Sequence, residues 1–556
     1  MKVYISANKS LELSEFIPNA VMTRLAAISK LKLAQSILYA GKNGNQIVYR
    51  YGDEEMTRTD LQALVLKLAG HFKELGIKKG ERVLFLLHDT PAFSASFLAA
   101  LWIGAVPVPI TPRSKSETLS YIVQDSNAHF IIAEEESLPA IDEALDELGG
   151  KSRPQVIFQD IYIPSTPKIP KGVISLCHNS HHTVDCVESE SQDIVFWQYT
   201  SGTTGKPKAV MHTAYGMLAN TELYAARILG IGPGDTLYSV AKMFFAYGLG
   251  NNLFFPLLLG ATAILDREWP TPMSVADNIS NYRPSVFFGV PAMYQMILGN
   301  KNKLNCIAIK APRTYVSAGA PLPASLFERW QKLTDKKILD GLGATEVGHI
   351  FLANDRESAR PSTTGKAIPG YDFRIEDANG NEVAMGDQGV LWVRGPSICA
   401  GYWQKPDTTK ERFQHGWYRT GDMFSHDAEG YYYYHGREDD LFKVKGRWVV
   451  PAEIESLVCT EFSDVIEAVL IPVNDRDGLT QSVLVLRTAL NETMAHKLSK
   501  QITGLLRHKV EQFKNPSAIH FVADFPRNDN GKLLRKELSI SIEALQAKNK
   551  VEKTDV

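Results

Sequence analysis

Cysteine is scarce in this chain: Cys177, Cys186, Cys306, Cys399 and Cys459 are the five among 556 residues. So sparse and odd a set excludes a disulfide framework and fits a reducing compartment. An excess of one charge is also missing, because 60 Lys and Arg stand against 62 Asp and Glu. The near balance provides no long-range pull toward nucleic acid or an anionic membrane, and a small-molecule substrate is expected instead. The stretch MKVYISANKSLE lacks an apolar signal core, from which a cytoplasmic location is expected. Long unbroken apolar runs are lacking too. Two uncharged stretches, 91–112 and 244–265, have the length of a membrane span, but the first carries Pro107 and Pro109 and the second Asn251, Asn252, Pro256 and three glycines. These would leave polar groups unsatisfied in lipid, so buried helix followed by buried strand is predicted for both, with no membrane span.

The length exceeds what one core supports, and two or more domains are expected. Strand-length apolar runs alternate with helical patterns, as in ERVLFLLH, FSASFLAALWIG and AVPVPI, which form a strand, helix, strand unit. DTLYSVA, ATAILD, SVFFGV, RTYVSAG and KKILDG extend the alternation, which predicts an α/β body of parallel sheets covered by helices. After about Arg360 come Gly-punctuated short strands, TTGKAIPGYDFRIED, GVLWVRG and EGYYYYHGRED, suited to a small antiparallel β subdomain. Beyond Asp439, the helix-like PAEIESLVCTE and the strands EAVLIPV and QSVLVLR suggest a separate small α+β unit. The boundary is placed at GREDD, giving an N-terminal domain of residues 1–438 and a C-terminal domain of residues 439–556. The polar end KNKVEKTDV is expected to fray.

The richest chemistry lies in YTSGTTGKPK, residues 199–208. Gly202 and Gly205 let the backbone turn its amides toward an anion, Thr200, Ser201, Thr203 and Thr204 offer hydroxyls, and Lys206 and Lys208 add positive charge. A polyphosphate fits such a cradle. Only two residues separate the glycines and Pro207 follows Lys206, whereas a Walker loop has four and a Ser or Thr, so a P-loop NTPase is disfavoured. A plain linker would join domains, yet strand-like FW precedes this loop and AVMHT follows it. In CHNSHHTVDC, residues 177–186, His178, His181 and His182 stand between two cysteines at a spacing that matches no common zinc pattern, so a polar surface loop is expected.

Further motifs follow in order: SAGAPLP (317–323), DGLGATE (340–346), YRTGD (418–422), GREDD (436–440), FKVKGRWVVPAEIE (442–455) and PRNDNGKLLRKEL (526–538). With the 199–208 loop they resemble the adenylate-forming enzymes, the superfamily of acyl-CoA synthetases, luciferases and peptide-synthetase adenylation domains, over nearly the whole chain. LFFPLLLGATAIL, AKMFFAYGLGN and TEVGHIFLAN resemble its benzoate-CoA ligase branch.

That resemblance implies ATP and Mg²⁺, an aryl-AMP intermediate and a thiol acceptor, either coenzyme A or the phosphopantetheine arm of a carrier protein. It implies that Thr200, Ser201, Gly202, Thr203, Thr204, Gly205 and Lys208 hold the β- and γ-phosphates, and that Thr345 and Glu346 hold the α-phosphate and Mg²⁺. Gly319, Ala320, Pro321, Asp340, Gly341 and Leu342 would surround the nucleotide, Asp422 would accept the ribose hydroxyls with Arg437 beside it, and Lys532 would bridge the acid oxygen and the α-phosphate. Leu342 stands where relatives often carry an aromatic, so adenine would receive a plain apolar contact, and Ala209 replaces a common glycine.

By the same resemblance Ala246, Tyr247, Gly343 and Ile350 would form a narrow apolar slot for a small aromatic acid of benzoate or hydroxybenzoate type, and His349 would hydrogen-bond or pair with its carboxylate. Amino-acid-activating relatives carry an Asp in the segment matching FFAY, residues 244–247, and its absence disfavours an α-amino acid. Phe245 would gate the pantetheine tunnel, the loop with Lys443, Lys445, Gly446 and Arg447 would swing in for thioester formation, and Asp439 would be the hinge of a mobile C-terminal domain. A regulatory module that has lost catalysis is disfavoured because Lys532, Glu346 and Asp422 are all present.

Overall fold

The computed structural model describes residues 2–4, 10–12, 31–40, 43–149, 153–162, 174–176, 183–201, 206–462, 464–474, 478–527 and 533–551. Its centre is a nine-stranded sheet in the order Lys366–Ala367, Ile350–Ala353, Ile338–Gly343, Thr314–Ser317, Val286–Gly289, Thr236–Ser239, Thr262–Leu265, Ile47–Tyr51 and Glu54–Thr57. The run from Ile338–Gly343 to Ile47–Tyr51 is parallel, and antiparallel strands close both edges. A second sheet of five parallel strands holds Val106–Pro109, Arg82–Leu86, Phe130–Ala133, Gln155–Phe158 and Ile174–Ser175.

Every residue of helix Pro91–Trp102 is buried, which is why its sequence is apolar on all sides. Phe97 on that helix meets Phe85 of the second sheet at 6.3 Å, Phe196 at 5.7 Å and Phe254, near the central sheet, at 6.0 Å. Both uncharged stretches are helix then strand, as expected, and among the described residues no helix is long and apolar enough to cross a membrane.

An antiparallel sheet of Asp372–Glu376, Gly389–Arg394, Trp417–His426, Phe413–Gln414 and Tyr432–Arg437 follows. The last part of the chain pairs Val465–Asn474 with Thr480–Thr488 and sets Ala518–Phe521 parallel to the latter. Helices Pro451–Glu461 and Glu492–Lys509 cover it around a core that includes Ile454, Val458, Leu470, Leu484, Leu498 and Ile502. The architecture is α/β with a small β portion and a smaller α+β portion, in the order expected from the sequence. The carboxyl ends of the parallel strands in the central sheet all lie on one side, where crevices form in such sheets. Gly319 and Thr345 lie just beyond such ends, and Ala246 opens the helix that follows strand Thr236–Ser239.

Candidate active site

The phosphate-loop candidate is a hairpin. Strand Ile194–Ser201 pairs with Pro207–Thr213, with Thr200 opposite Lys208 and Ser201 opposite Pro207. The strands therefore run further into the polar motif than the apolar pattern suggested, because backbone pairing needs no apolar side chain. Gly202, Thr203, Thr204 and Gly205 lie outside the described residues, as do the histidines of the 177–186 segment. The Tyr199 hydroxyl donates to Asp125 at 2.8 Å and anchors the base of the hairpin.

Strand Ile338–Gly343 delivers the acidic motif. Thr345–Val347 form a single 3₁₀ turn that buries Glu346 and ends at Gly348, whose φ of 82° suits a residue without Cβ. The Tyr402 hydroxyl donates to Glu346 Oε1 at 2.7 Å, and the Cys399 amide donates to the Glu346 carbonyl at 2.8 Å. The Lys208 ammonium lies 4.9 Å from the centre of the Tyr402 ring. Burial lowers the Lys208 pKa, with Glu346 acting in the opposite sense. Tyr402 was missed in the sequence because a Tyr in GYWQ carries no spacing that ties it to residue 346.

Asp422 and Arg437 face each other across antiparallel strands and pair at 3.1 Å. Gly319, Ala320 and Pro321 are exposed beyond strand Thr314–Ser317, and Leu342 is half-buried. Asp340 is buried, and its Oδ1 has no partner among the described residues. Burial pushes its carboxyl up to about 8 against the pull of the Gly341 amide. A buried carboxyl with one unpartnered oxygen beside these strand ends suits a ligand that brings its own hydrogen-bonding groups.

The region of the expected aryl slot contains two π-helical segments, Thr221–Ala226 and Gly250–Phe254, a geometry enriched at functional sites. They bring Tyr224 and Asn251 to His349. The His349 ring lies 5.5 Å from Tyr224, 5.4 Å from Tyr247 and 4.6 Å from Phe255, and Ile350 is buried next to it. Ala246 and Tyr247 are half-buried and Gly343 is exposed, so one side of this aromatic cluster is open. Burial pushes His349 down to about 3, opposed by the Tyr247 carbonyl. Burial thus favours the neutral imidazole, a form that can hydrogen-bond. Tyr224 and Asn251 were not singled out in the sequence, since a π turn leaves no periodicity of its own.

Among the described residues the other expected partners are not brought together. Lys532 lies outside the described residues. The turn joining Phe442–Val444 to Arg447–Val449 holds Lys443, Lys445, Gly446 and Arg447 in solvent, with Lys443 over Trp448 and Arg447 over Phe513. Phe245 is half-buried against Phe244 at 4.3 Å. Asp439 is exposed between two ion pairs: Glu438 with Arg419 at 2.8 Å, and Asp440 with Arg535 at 3.2 Å.

The fold and this constellation define an adenylate-forming enzyme, an AMP-forming acid–thiol ligase. The chain belongs to the AMP-binding enzyme family, whose sequence profile matches residues 39–403, and falls in the benzoate-CoA ligase-like branch. It is 40% identical over 497 residues to the anthranilate–CoA ligase of Pseudomonas aeruginosa, covering 88% of this chain and 92% of that one. It is 34% identical to the 3-hydroxybenzoate–CoA ligase of an Aromatoleum species, covering 88% and 92%. The crystal structure of a benzoate CoA ligase from Burkholderia xenovorans superposes with a TM-score of 0.81 at 31% identity, covering 91% of this chain and 99% of that one.

Proposed function

We propose that the enzyme activates a benzoate-type aromatic acid with ATP and passes the acyl group to coenzyme A. In the first step a carboxylate oxygen attacks the α-phosphorus of ATP, the bond to the β-phosphate bridging oxygen breaks, and pyrophosphate leaves. In the second the CoA thiolate attacks the acyl carbon and AMP leaves with the anhydride oxygen. One observation carries this reading: an aromatic-walled slot around His349 lies three residues along the chain from Glu346, at the strand ends that also carry Asp340. Acid and α-phosphate thus meet in one crevice.

Lys208 supplies positive charge for the phosphates, and the Asp422–Arg437 pair would hold the ribose. Glu346 and Thr345 would hold Mg²⁺, an oxygen donor set that suits a hard cation. When bound, that ion offsets phosphate charge. Lys532 would neutralise the acid oxygen and α-phosphate as they approach. We further propose that residues 1–438 and 439–556 are the two domains and that Asp439 is the hinge. The ion pairs flanking it support this, because rotation at residue 439 preserves both. The 443–447 turn would then reach Phe245 for the second step.

The named relatives are CoA ligases, which supports coenzyme A over the arm of a carrier protein. Side-by-side turnover with CoA and with an arm-bearing carrier protein, read by mass spectrometry of the thioester, tests the proposal. Aryl-CoA, AMP and pyrophosphate in equal amounts are expected. Faster thioester formation on the carrier protein would overturn the choice of acceptor.

A further inference from the structure

The proton on His349 has a fixed place. Nε2 lies 3.3 Å from the Tyr247 carbonyl oxygen and 3.2 Å from Asn251 Oδ1. Carbonyl oxygens only accept, so Nε2 carries the hydrogen. The Asn251 amide cannot be turned round, because its Nδ2 donates to Ser239 Oγ at 3.1 Å. That hydroxyl gives its own hydrogen to the Ala241 carbonyl at 3.2 Å and accepts from the Ala241 amide. A neutral ring protonated on Nε2 has a bare lone pair on Nδ1.

Among the described residues no donor reaches that lone pair, although His349 is only 2% exposed. A Cβ placed on Gly250 would sit 2.5 Å from His349 Cδ2 and 3.0 Å from Nε2, so this edge of the ring is pressed against the π-helical segment. Nδ1 occupies the opposite edge. Tyr224, fully buried and 5.5 Å away ring to ring, also has a hydroxyl without a partner among the described residues.

Two unmatched buried polar groups on neighbouring rings, one a lone pair and one a hydroxyl, are uncommon unless a ligand completes them. A carboxylate, an acyl phosphate and an unsubstituted benzene ring bring no hydrogen to Nδ1. A ring amino or hydroxyl group does, and a hydroxyl can also accept from Tyr224.

Resting on the aryl-acid reading above, we infer that His349 Nδ1 and the Tyr224 hydroxyl form a specificity site for a ring N–H or O–H donor. The enzyme then selects amino- or hydroxy-substituted aryl acids over benzoate. Tyr224 is the further specificity-determining residue in this arrangement.

The test measures kcat/KM in pyrophosphate exchange for benzoate, the three aminobenzoates, the three hydroxybenzoates and the three methylbenzoates. At least one amino or hydroxy isomer should exceed both benzoate and its methyl counterpart by roughly tenfold, the size of one well-made hydrogen bond. Tyr224→Phe should shrink that ratio. Independently, the ¹⁵N signal of His349 Nδ1 in the wild-type protein should be that of an unprotonated nitrogen and should move toward the hydrogen-bonded range when the preferred isomer is added. Methyl isomers that match their amino and hydroxy counterparts, or an Nδ1 found protonated, would overturn the inference alone. Absence of exchange with every acid would overturn the aryl-acid reading and this inference with it.

Discussion

Tyr402 holds Glu346 Oε1 at 2.7 Å while its ring faces the Lys208 ammonium at 4.9 Å. One side chain thus couples the acidic motif to the hairpin of Ile194–Ser201 and Pro207–Thr213. It reaches this place because residues 400–403 lie along the hairpin strand, with the Ala400 amide donating to the Met211 carbonyl and the Trp403 amide to the Ala209 carbonyl.

Tyr402→Phe keeps the ring and removes a charge-assisted hydrogen bond worth about 2 kcal/mol. The Mg²⁺ concentration for half-maximal pyrophosphate exchange should rise roughly tenfold or more. An unchanged magnesium titration would show that Tyr402 does not position Glu346.

Gly250→Ala introduces a methyl group 2.5 Å from His349 Cδ2, closer than packed atoms allow, so the imidazole must move. Displacing a positioned ring by this much should cost about a hundredfold in kcat/KM for the aromatic acid, with KM for ATP nearly unchanged. Equal losses for both substrates would point to general disruption instead.

The stability of the protein should fall as pH rises from about 6.5 to 8. Asp340, pushed up to about 8 from an ordinary 3.8, keeps in the folded state a proton that the unfolded chain has released. Its contribution is fully present below the unfolded value and is lost as pH approaches 8, at about 1.4 kcal/mol per unit, or about 2 kcal/mol over this window. His212 and His349, both pushed down to about 3 by burial, act in the opposite direction but only below about 6.5. Denaturation midpoints of the wild type and Asp340→Asn at both ends of the window check this. Parallel pH slopes in the two proteins would contradict it.

Ala246 begins a short helix and is half-buried beside the proposed aryl slot. Ala246→Phe should exclude ring-substituted benzoates before benzoate itself, measured as the ratio of their kcat/KM values. An unchanged acid profile would remove Ala246 from the slot.

Much of this architecture is legible in the sequence. ERVLFLLH, FSASFLAALWIG and AVPVPI became Arg82–Leu86, Pro91–Trp102 and Val106–Pro109, because burial on all sides leaves continuous apolar runs. The alternating YYYYHGR became the edge strand Tyr432–Arg437. Less visible were features set by tertiary contact. The polar ends of the hairpin strands Ile194–Ser201 and Pro207–Thr213 are strand because each pairs with the other. The π-helical placement of Tyr224 and Asn251 depends on a backbone insertion that side-chain spacing does not encode. The charge of His349 follows from burial, and its tautomer from Ser239, more than a hundred residues away in sequence. Asp422 and Arg437, named from separate motifs, meet only because two strands pair in that register.

Lys532→Ala should nearly abolish adenylate formation while leaving thioester formation from supplied aryl-AMP largely intact. Equal loss in both half-reactions would contradict the assigned role.

Acid-dependent exchange of labelled pyrophosphate into ATP tests adenylate formation most directly. Benzoate-type acids should drive label into the nucleotide, with none incorporated when acid is omitted. Silence across a broad panel of aromatic acids, or equal exchange in their absence, would contradict the assignment.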